Sequence, residues 1–274
     1  MHQSYLDIAI EMVAIVTKYW MEFIWYVIMF GTVYWYLRKV EHNEKLPPLR
    51  TIPATLAIEE GVGRALEMGK PVHYSLGSDG APIMSSGVGT TIAALAVLKY
   101  TTRLAAKYGT RLIMHLPSQG EAIPMIEGVI REGYIEAGKP EAFQRGDMHY
   151  YGYLTAAFSP GVYTSFTSEG VGLYMHAGSV ITYEFPILEA AKINGAIVIG
   201  GTPRWTATYI FAMACDHMFL GEELLAAGAA LSENKYLTSS IVSEELWKYI
   251  AFVLLIGGLI LQFAGIPFKG LAGL

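Results

Sequence analysis

The stretch that most limits this chain lies near its carboxyl end, where Tyr249 to Phe268 carry no charge and are bracketed by Lys248 and Lys269. At about 1.5 Å per residue, a helix over this run reaches roughly 30 Å, the thickness of a bilayer's hydrocarbon core. The sequence therefore predicts a carboxyl-terminal membrane segment over 248–274, with its span at about 249–268. Ala251, Gly258 and Gly265 recur at seven-residue intervals, and Gln262 lies one turn beyond Gly258. Two readings fit this pattern: a small-residue face against which another helix packs in lipid, or the ordinary abundance of glycine in such helices.

A second apolar stretch runs from Tyr5 to Leu37, interrupted by charge. Tyr19 and Trp20 stand about 26 Å along a helix from Tyr34, Trp35 and Tyr36, which suits two interfacial aromatic belts flanking one span at about 19–37. Residues 1–40 thus read as an amphipathic segment followed by a transmembrane helix. Asp7, Glu11, Lys18 and Glu22 fall on one side of that continuous helix. This polar stripe either lies on the membrane surface or faces polar partners in an oligomer. No basic amino-terminal region or small-residue cleavage site marks a cleaved signal. Arg38, Lys39, Lys45, Arg50, Lys235 and Lys248 flank the inner ends of the two spans, whereas Lys18 and Lys269 flank the outer ends. By the positive-inside rule, the chain is a two-pass cell-membrane protein with its middle cytoplasmic and both termini outside.

Composition agrees with a lipid partner, since 53% of residues are hydrophobic and 16% charged. A net charge of -5 gives no footprint for nucleic acid. The single cysteine excludes internal disulfides and metal sites that need two thiolates.

A proline-bearing linker over 41–50 leads into a domain over 51–247. Helical patterns over 51–69, 90–108, 121–137, 183–193 and 206–214 alternate with short apolar runs over 71–76, 111–116, 148–151, 172–175, 196–199 and 217–220. Continuous apolar runs suit strands buried on both faces. The expected fold is α/β, a Rossmann-like, mostly parallel sheet with helices on both faces, flanked by an N-terminal and a C-terminal transmembrane helix.

In such a sheet, ligands bind beyond the carboxyl ends of the strands. The first strand empties into a loop holding Ser78, Asp79, Ser86, Gly87, Gly89 and Thr90, just ahead of a long helix. Backbone N–H groups there, with Ser86 or Thr90 as cap, would receive an anion; the alternative is an ordinary glycine-rich turn before a capped helix. No phosphate-loop or dinucleotide fingerprint is present. The loops Pro117–Glu121, His176–Ser179 and Gly200–Thr202 carry groups to converge with the first. Gly200, Gly201 and Thr202 are expected to leave backbone open, and Glu184 to offer a carboxylate to a hydroxyl or amine.

His73, His115, His149, His176 and His217 each fall in or beside a different strand. His115 and His176 could meet around a metal, but no pair has ligand spacing, and hydrogen-bonded core histidines are the alternative. No metal and no cofactor is therefore assigned. Cys215-Asp216-His217 cannot form a triad, because successive strand residues point to opposite faces; Cys215 reads as buried. Glu222 and Glu223 open a helix, where acidic residues suit its dipole.

Several passages occur in the order found in a known family: EEGVGRALEMGKPVHYSLG from Glu59, YGTRLIM from Tyr108, IREGYIEAGKPEAF from Ile130, INGAIVIGGT from Ile193 and ACDHMFLGEELLAAGAALS from Ala214. The stretch 58–231 resembles an uncharacterised archaeal and bacterial family of membrane-anchored domains of unknown function. The resemblance implies a membrane-tethered α/β domain and carries over no catalytic residue; 158–183, with His176, departs from it.

Without a complete catalytic motif, the leading expectation is a noncatalytic scaffold or assembly subunit. It would form homo-oligomers in contact with membrane lipids and possible partner membrane subunits, and would bind no nucleic acid. The alternative is a membrane-tethered domain that binds or turns over a nucleotide or other phosphorylated small molecule.

Overall fold

Six short apolar strands pair side by side in parallel, and the helices that return the chain between them bury both faces. The computed structural model describes residues 19–78, 83–84, 87–118, 120–180 and 184–263, without the side chains of Met21 and Thr155. It divides into two units, Leu49–Asn234 and Met1–Pro48 with Lys235–Leu274.

In the first unit, α2 (Pro53–Glu67) leads to β1 (Val72–Ser75), α3 (Val88–Tyr108), β2 (Leu112–Leu116), α4 (Ile123–Glu136) and β3 (Met148–Tyr150). Then come α5 (Thr155–Glu169), β4 (Leu173–Ala177), α6 (Phe185–Ile193), β5 (Ile197–Thr202), α7 (Thr208–Ala214), β6 (His217–Leu220) and α8 (Glu223–Leu231). The strands lie in the order β3-β2-β1-β4-β5-β6, all parallel. The order reverses between β1 and β4, where the chain stops adding strands on one side and starts on the other.

One face of the sheet is covered by α2, α3, α4 and α8. Tyr74 reaches α3, where its hydroxyl donates to the Ala94 carbonyl at 2.8 Å. Gly133 abuts Thr102 and Gly228 abuts Ala93, so α4 and α8 lie close against α3. The other face carries α5, α6 and α7, with Phe158, Val162, Phe166, Ile187, Ile210 and Phe211 packed on Tyr174 and Val198. Each fully buried aromatic or aliphatic side chain contributes about 1.5–3 kcal/mol.

The sequence pattern does not reveal α5. Its Ser/Thr-rich stretch has Pro160 inside the helix and lacks a clear apolar period, and tertiary packing on the sheet overrides both. Gly200 and Gly201 lie within β5 rather than in a loop after it. Their backbones pair with His176, Ala177, Met218 and Phe219. They therefore expose no backbone; a Cβ on Gly200 would press on Phe211, and one on Gly201 on the Phe219 backbone.

The second unit holds α1 (Trp20–Glu41) and α9 (Lys235–Phe263). Among the described residues, α9 is the one helix long and apolar enough to cross a membrane, and its most apolar window is unburied. It starts at Lys235, not at 248, and Ser239, Val242 and Ser243 are buried along its first turns. Glu22 and several Trp and Tyr residues dilute the hydropathy of α1, whose apolar side chains are nonetheless exposed from Phe23 to Phe30.

The two helices pair antiparallel. Thr32 Oγ1 lies 3.2 Å from Ser243 Oγ and receives the Trp247 indole N–H at 2.8 Å, while Trp25 meets Trp247 edge-on at 5.9 Å. This pairing sets the middle of the 19–37 span beside the residues just before 249, so the two expected spans are offset by roughly 20 Å at helical rise. Ala251, Gly258 and Gln262 do not make this contact, and Gly258 faces open space. Gly265, Asp7, Glu11 and Lys18 lie outside the described residues.

Gly228→Val will force α8 away from α3, since its Cβ would stand 2.6 Å from the Ala93 Cα. A loss of about 1–3 kcal/mol in urea unfolding is expected, whereas Gly63→Ala, on an open surface, will cost nothing measurable.

Candidate functional site

The reversal between β1 and β4 brings two strand ends together, and the loops beyond them form the floor of the candidate site. Gly77 has a left-handed backbone (φ 98°), and a side chain there would run into the Ser179 carbonyl. Gly178 likewise abuts the Leu76 carbonyl. Only glycine permits this approach of one strand end to the other.

Three side chains meet over that floor. The Ser78 backbone N–H donates to Glu184 Oε1 at 2.7 Å, and Glu184 Oε2 lies 3.6 Å from His176 Nε2. All three residues are fully buried. Further hydrogen bonds hold these groups from behind. Gly77 N–H donates to Ser75 Oγ at 3.0 Å, and the Tyr174 oxygen lies 2.6 Å from His176 Nδ1. Ser118 Oγ donates to the Ser78 carbonyl at 2.6 Å, and Tyr150 ties the Ser118 carbonyl to β3.

Burial holds the Tyr174 hydroxyl well above its ordinary value and lowers His176, with Glu184 opposing the second shift. Tyr174, kept neutral by burial, has a proton to give, and His176 Nδ1 is the acceptor within reach at 2.6 Å. Neutral His176 then carries its hydrogen on Nε2, facing Glu184. Despite this order, Ser78 Oγ, His176 Nε2 and Glu184 Oε2 have no hydrogen-bond partner among the described residues. Buried polar atoms are almost always paired, so three orphans in one place mark a position for a polar guest.

The sequence-selected residues divide accordingly. Ser78 and Glu184 touch, and Ser118 and His176 join them. Thr202 is buried, and its Oγ1 accepts from the Arg204 N–H at 3.3 Å; Arg204 also reaches Ser179 Oγ at 3.3 Å. The cap expected from Thr90 or Ser86 is absent at Thr90: α3 begins at Val88 with Gly87 as N-cap and no side-chain cap, so Thr90 lies in the first turn. Gly89 faces open space. Asp79 and Ser86 lie outside the described residues.

The histidines reveal a second network. The strand register places His73, His115, His149 and His176 on one face, beneath α5. His73 Nε2 meets the Gly170 carbonyl at 2.8 Å and must donate there; His73 Nδ1 lies 2.9 Å from His115 Nε2, and His115 Nδ1 lies 2.8 Å from the Tyr151 hydroxyl. One proton order satisfies the chain: Tyr151 donates to His115, His115 to His73, and His73 to Gly170. Tyr174 stands between His115 and His176, so these two do not meet. Among the described residues, no group of three or more His, Cys, Asp or Glu is placed to hold a metal.

Beside that network, Arg111 binds Asp147 at 2.6 Å and Glu169 at 2.7 Å. It lines a cleft of about 340 Å³ at the amino ends of the strands, together with Lys70 and Thr110, whose Oγ1 has no hydrogen-bond partner among the described residues. Cys215 is half-buried, with its thiol pushed up to about 12 by burial. Asp216 is turned away to accept the Val198 N–H at 2.9 Å, and Glu222 and Glu223 pair with Arg50.

The sequence profile of a domain of unknown function, DUF6754, matches residues 11–270. No curated protein and no solved structure matches the chain.

Two outcomes test the site's energetics. Ser78→Ala removes a buried hydroxyl that has no partner while keeping the backbone bond to Glu184, so it will stabilise the ligand-free domain by about 1 kcal/mol in denaturant unfolding. Burial pushes His73 down from 6.5 to about 4. The unfolded chain binds this proton below 6.5 and the folded chain resists it, so stability is full above pH 6.5 and is lost as pH falls toward 4. His73 alone accounts for about 3 kcal/mol, measurable as a falling urea midpoint over that window.

Proposed function

We propose that this chain, which belongs to the DUF6754 family of unknown function, is a membrane-anchored protein whose α/β domain binds a nucleotide or other phosphorylated small molecule at the β1/β4 crevice. The observation that carries this reading is the set of three buried, unpartnered polar atoms at the point of strand reversal, where doubly wound sheets place their ligands. The uncapped start of α3, with Gly89 open to approach, offers backbone N–H groups to a phosphate. Arg204, at the end of β5, adds positive charge to the same edge.

Anchoring is assigned to α9, with the amino-terminal helix crossing beside it, the domain cytoplasmic and both termini outside. The basic flanks at Arg38, Lys39, Lys45, Arg50, Lys235 and Lys248 support this orientation. The stagger of α1 against α9 brings Glu22 to the level of the α9 apolar run, where a carboxylate is costly unless partnered.

A second reading, a noncatalytic homo-oligomeric scaffold, is favoured by Ala251, Gly258 and Gln262. Ala251 and Gln262 are exposed on α9 and nothing stands within 4 Å of a Cβ on Gly258, which leaves room for a second copy to pack there. Native mass spectrometry in mild detergent will give an oligomer under this reading; a strict monomer removes it.

For the ligand, a thermal-shift panel of nucleotides and sugar phosphates on the full-length protein in detergent is the test. A binder at 100 times its Kd adds about 2.7 kcal/mol and raises the midpoint by several degrees. Gly89→Glu puts a carboxylate where the phosphate would sit, without steric conflict, and will abolish the shift. A panel in which nothing moves the midpoint overturns the reading. For topology, protease added to right-side-out vesicles will trim the ends and spare the domain; digestion of the domain reverses the orientation.

A further inference from the structure

We propose that Ser78, His176 and Glu184 form a subsite for a hydroxyl group of a sugar or polyol, the hydroxyl donating to Glu184 Oε2 and accepting from His176 Nε2–H. This rests on the ligand-binding reading above and names the part of the ligand that enters deepest.

The chemistry follows from the open valences. Glu184 Oε2 accepts, His176 Nε2–H donates, and Ser78 Oγ does both. The 3.6 Å between Nε2 and Oε2 is too long for a direct hydrogen bond. It suits one oxygen atom seated against both at about 2.8 Å from each. A phosphate or carboxylate oxygen has no proton to give Glu184 and would meet its negative charge. An ammonium or metal cation would face the His176 N–H with nothing to accept it. A hydroxyl satisfies both atoms and leaves Ser78 Oγ to bond a neighbouring hydroxyl.

The groups are also held in place before any ligand arrives. Glu184 Oε1 is fixed by the Ser78 N–H, His176 Nδ1 by Tyr174, and Ser75 by the Gly77 N–H. Each group therefore meets a guest with its rotamer already set, the condition under which hydrogen bonds discriminate. Complete burial limits the guest to a small group at the tip of a larger molecule.

Saturation-transfer NMR on full-length protein in detergent tests the subsite, with D-ribose, D-glucose and myo-inositol, their monophosphates, and inorganic phosphate as probes. The expected result is a saturable signal from at least one free sugar or polyol, weakened about tenfold, one hydrogen bond's worth, by both Glu184→Gln and Ser78→Ala. The second variant loses no bond and has a thermal midpoint at or above that of the wild type, so reduced binding there is not a folding defect. If inorganic phosphate and the monophosphates bind wild type and both variants equally while free sugars do not bind, the phosphorylated-ligand reading stands and the hydroxyl subsite falls. Free sugars that bind as well as their phosphates uphold the subsite and remove the phosphate requirement. No signal from any probe means that the three atoms enclose a buried water only, and both readings fall.

Discussion

Strand β1 is the hinge of the sheet: it pairs with β2 on one side and, 101 positions further along the chain (72 to 173), with β4 on the other. That long-range pairing draws the loops after both strands to one point, and every group in the crevice depends on it. Gly77 and Gly178 let the two strand ends close up, which leaves Ser78 under Glu184 and His176 beside Tyr174. Among the described residues, the network is left open at Ser78 Oγ, His176 Nε2 and Glu184 Oε2. An interior that satisfies its polar groups so thoroughly one layer out has left those three open at a definite place, and the cost of doing so is borne by the fold.

The histidine face shows the same economy with a different outcome. His73, His115 and Tyr151 form a chain in which each proton has one destination, ending on the carbonyl of Gly170. Phe166 packs edge-on against His73, His115 and Tyr174, so α5 seals the row from solvent. Neutral imidazoles suit that setting, since burial penalises the charged form. The row is a structural spine beneath α5, linked at its far end to Glu169 and Arg111 through His149, and it ties the helix least visible in the sequence to the centre of the sheet.

In the other unit, polar contacts rather than small residues join the two helices. Thr32, Ser243 and Trp247 share hydrogen bonds. Their positions fix a stagger that neither apolar run reveals alone. The small residues of α9 are left facing outward, and the amphipathic lead-in of α9, Lys235 to Lys248, turns out to be part of the helix rather than of the domain.

The alternation of strands and helices, the parallel sheet and the apolar α9 were all legible in the sequence, because burial on both faces and the length of a span leave local marks: continuous apolar runs such as Leu112–Leu116, and an uncharged stretch from Tyr249. Ser78 and Glu184 were visible as loop and helix-start residues on the ligand-binding edge. Their contact was not, because it joins positions 106 residues apart and no local period encodes it. Gly200 and Gly201 looked like a loop; pairing with neighbours on both sides made them strand. Helix α5 was missed because Pro160 and its many hydroxyls oppose a helix locally, and packing of Phe158, Val162 and Phe166 decides otherwise. The single-face placement of four histidines needed the strand register, which shifts every side chain to the opposite face for a slip of one residue. Sequence alone thus determined which segments must leave water and in what form. Tertiary structure decided which distant polar groups meet, since only the pairing of β1 with β4 brings Ser78, His176 and Glu184 within reach of one another.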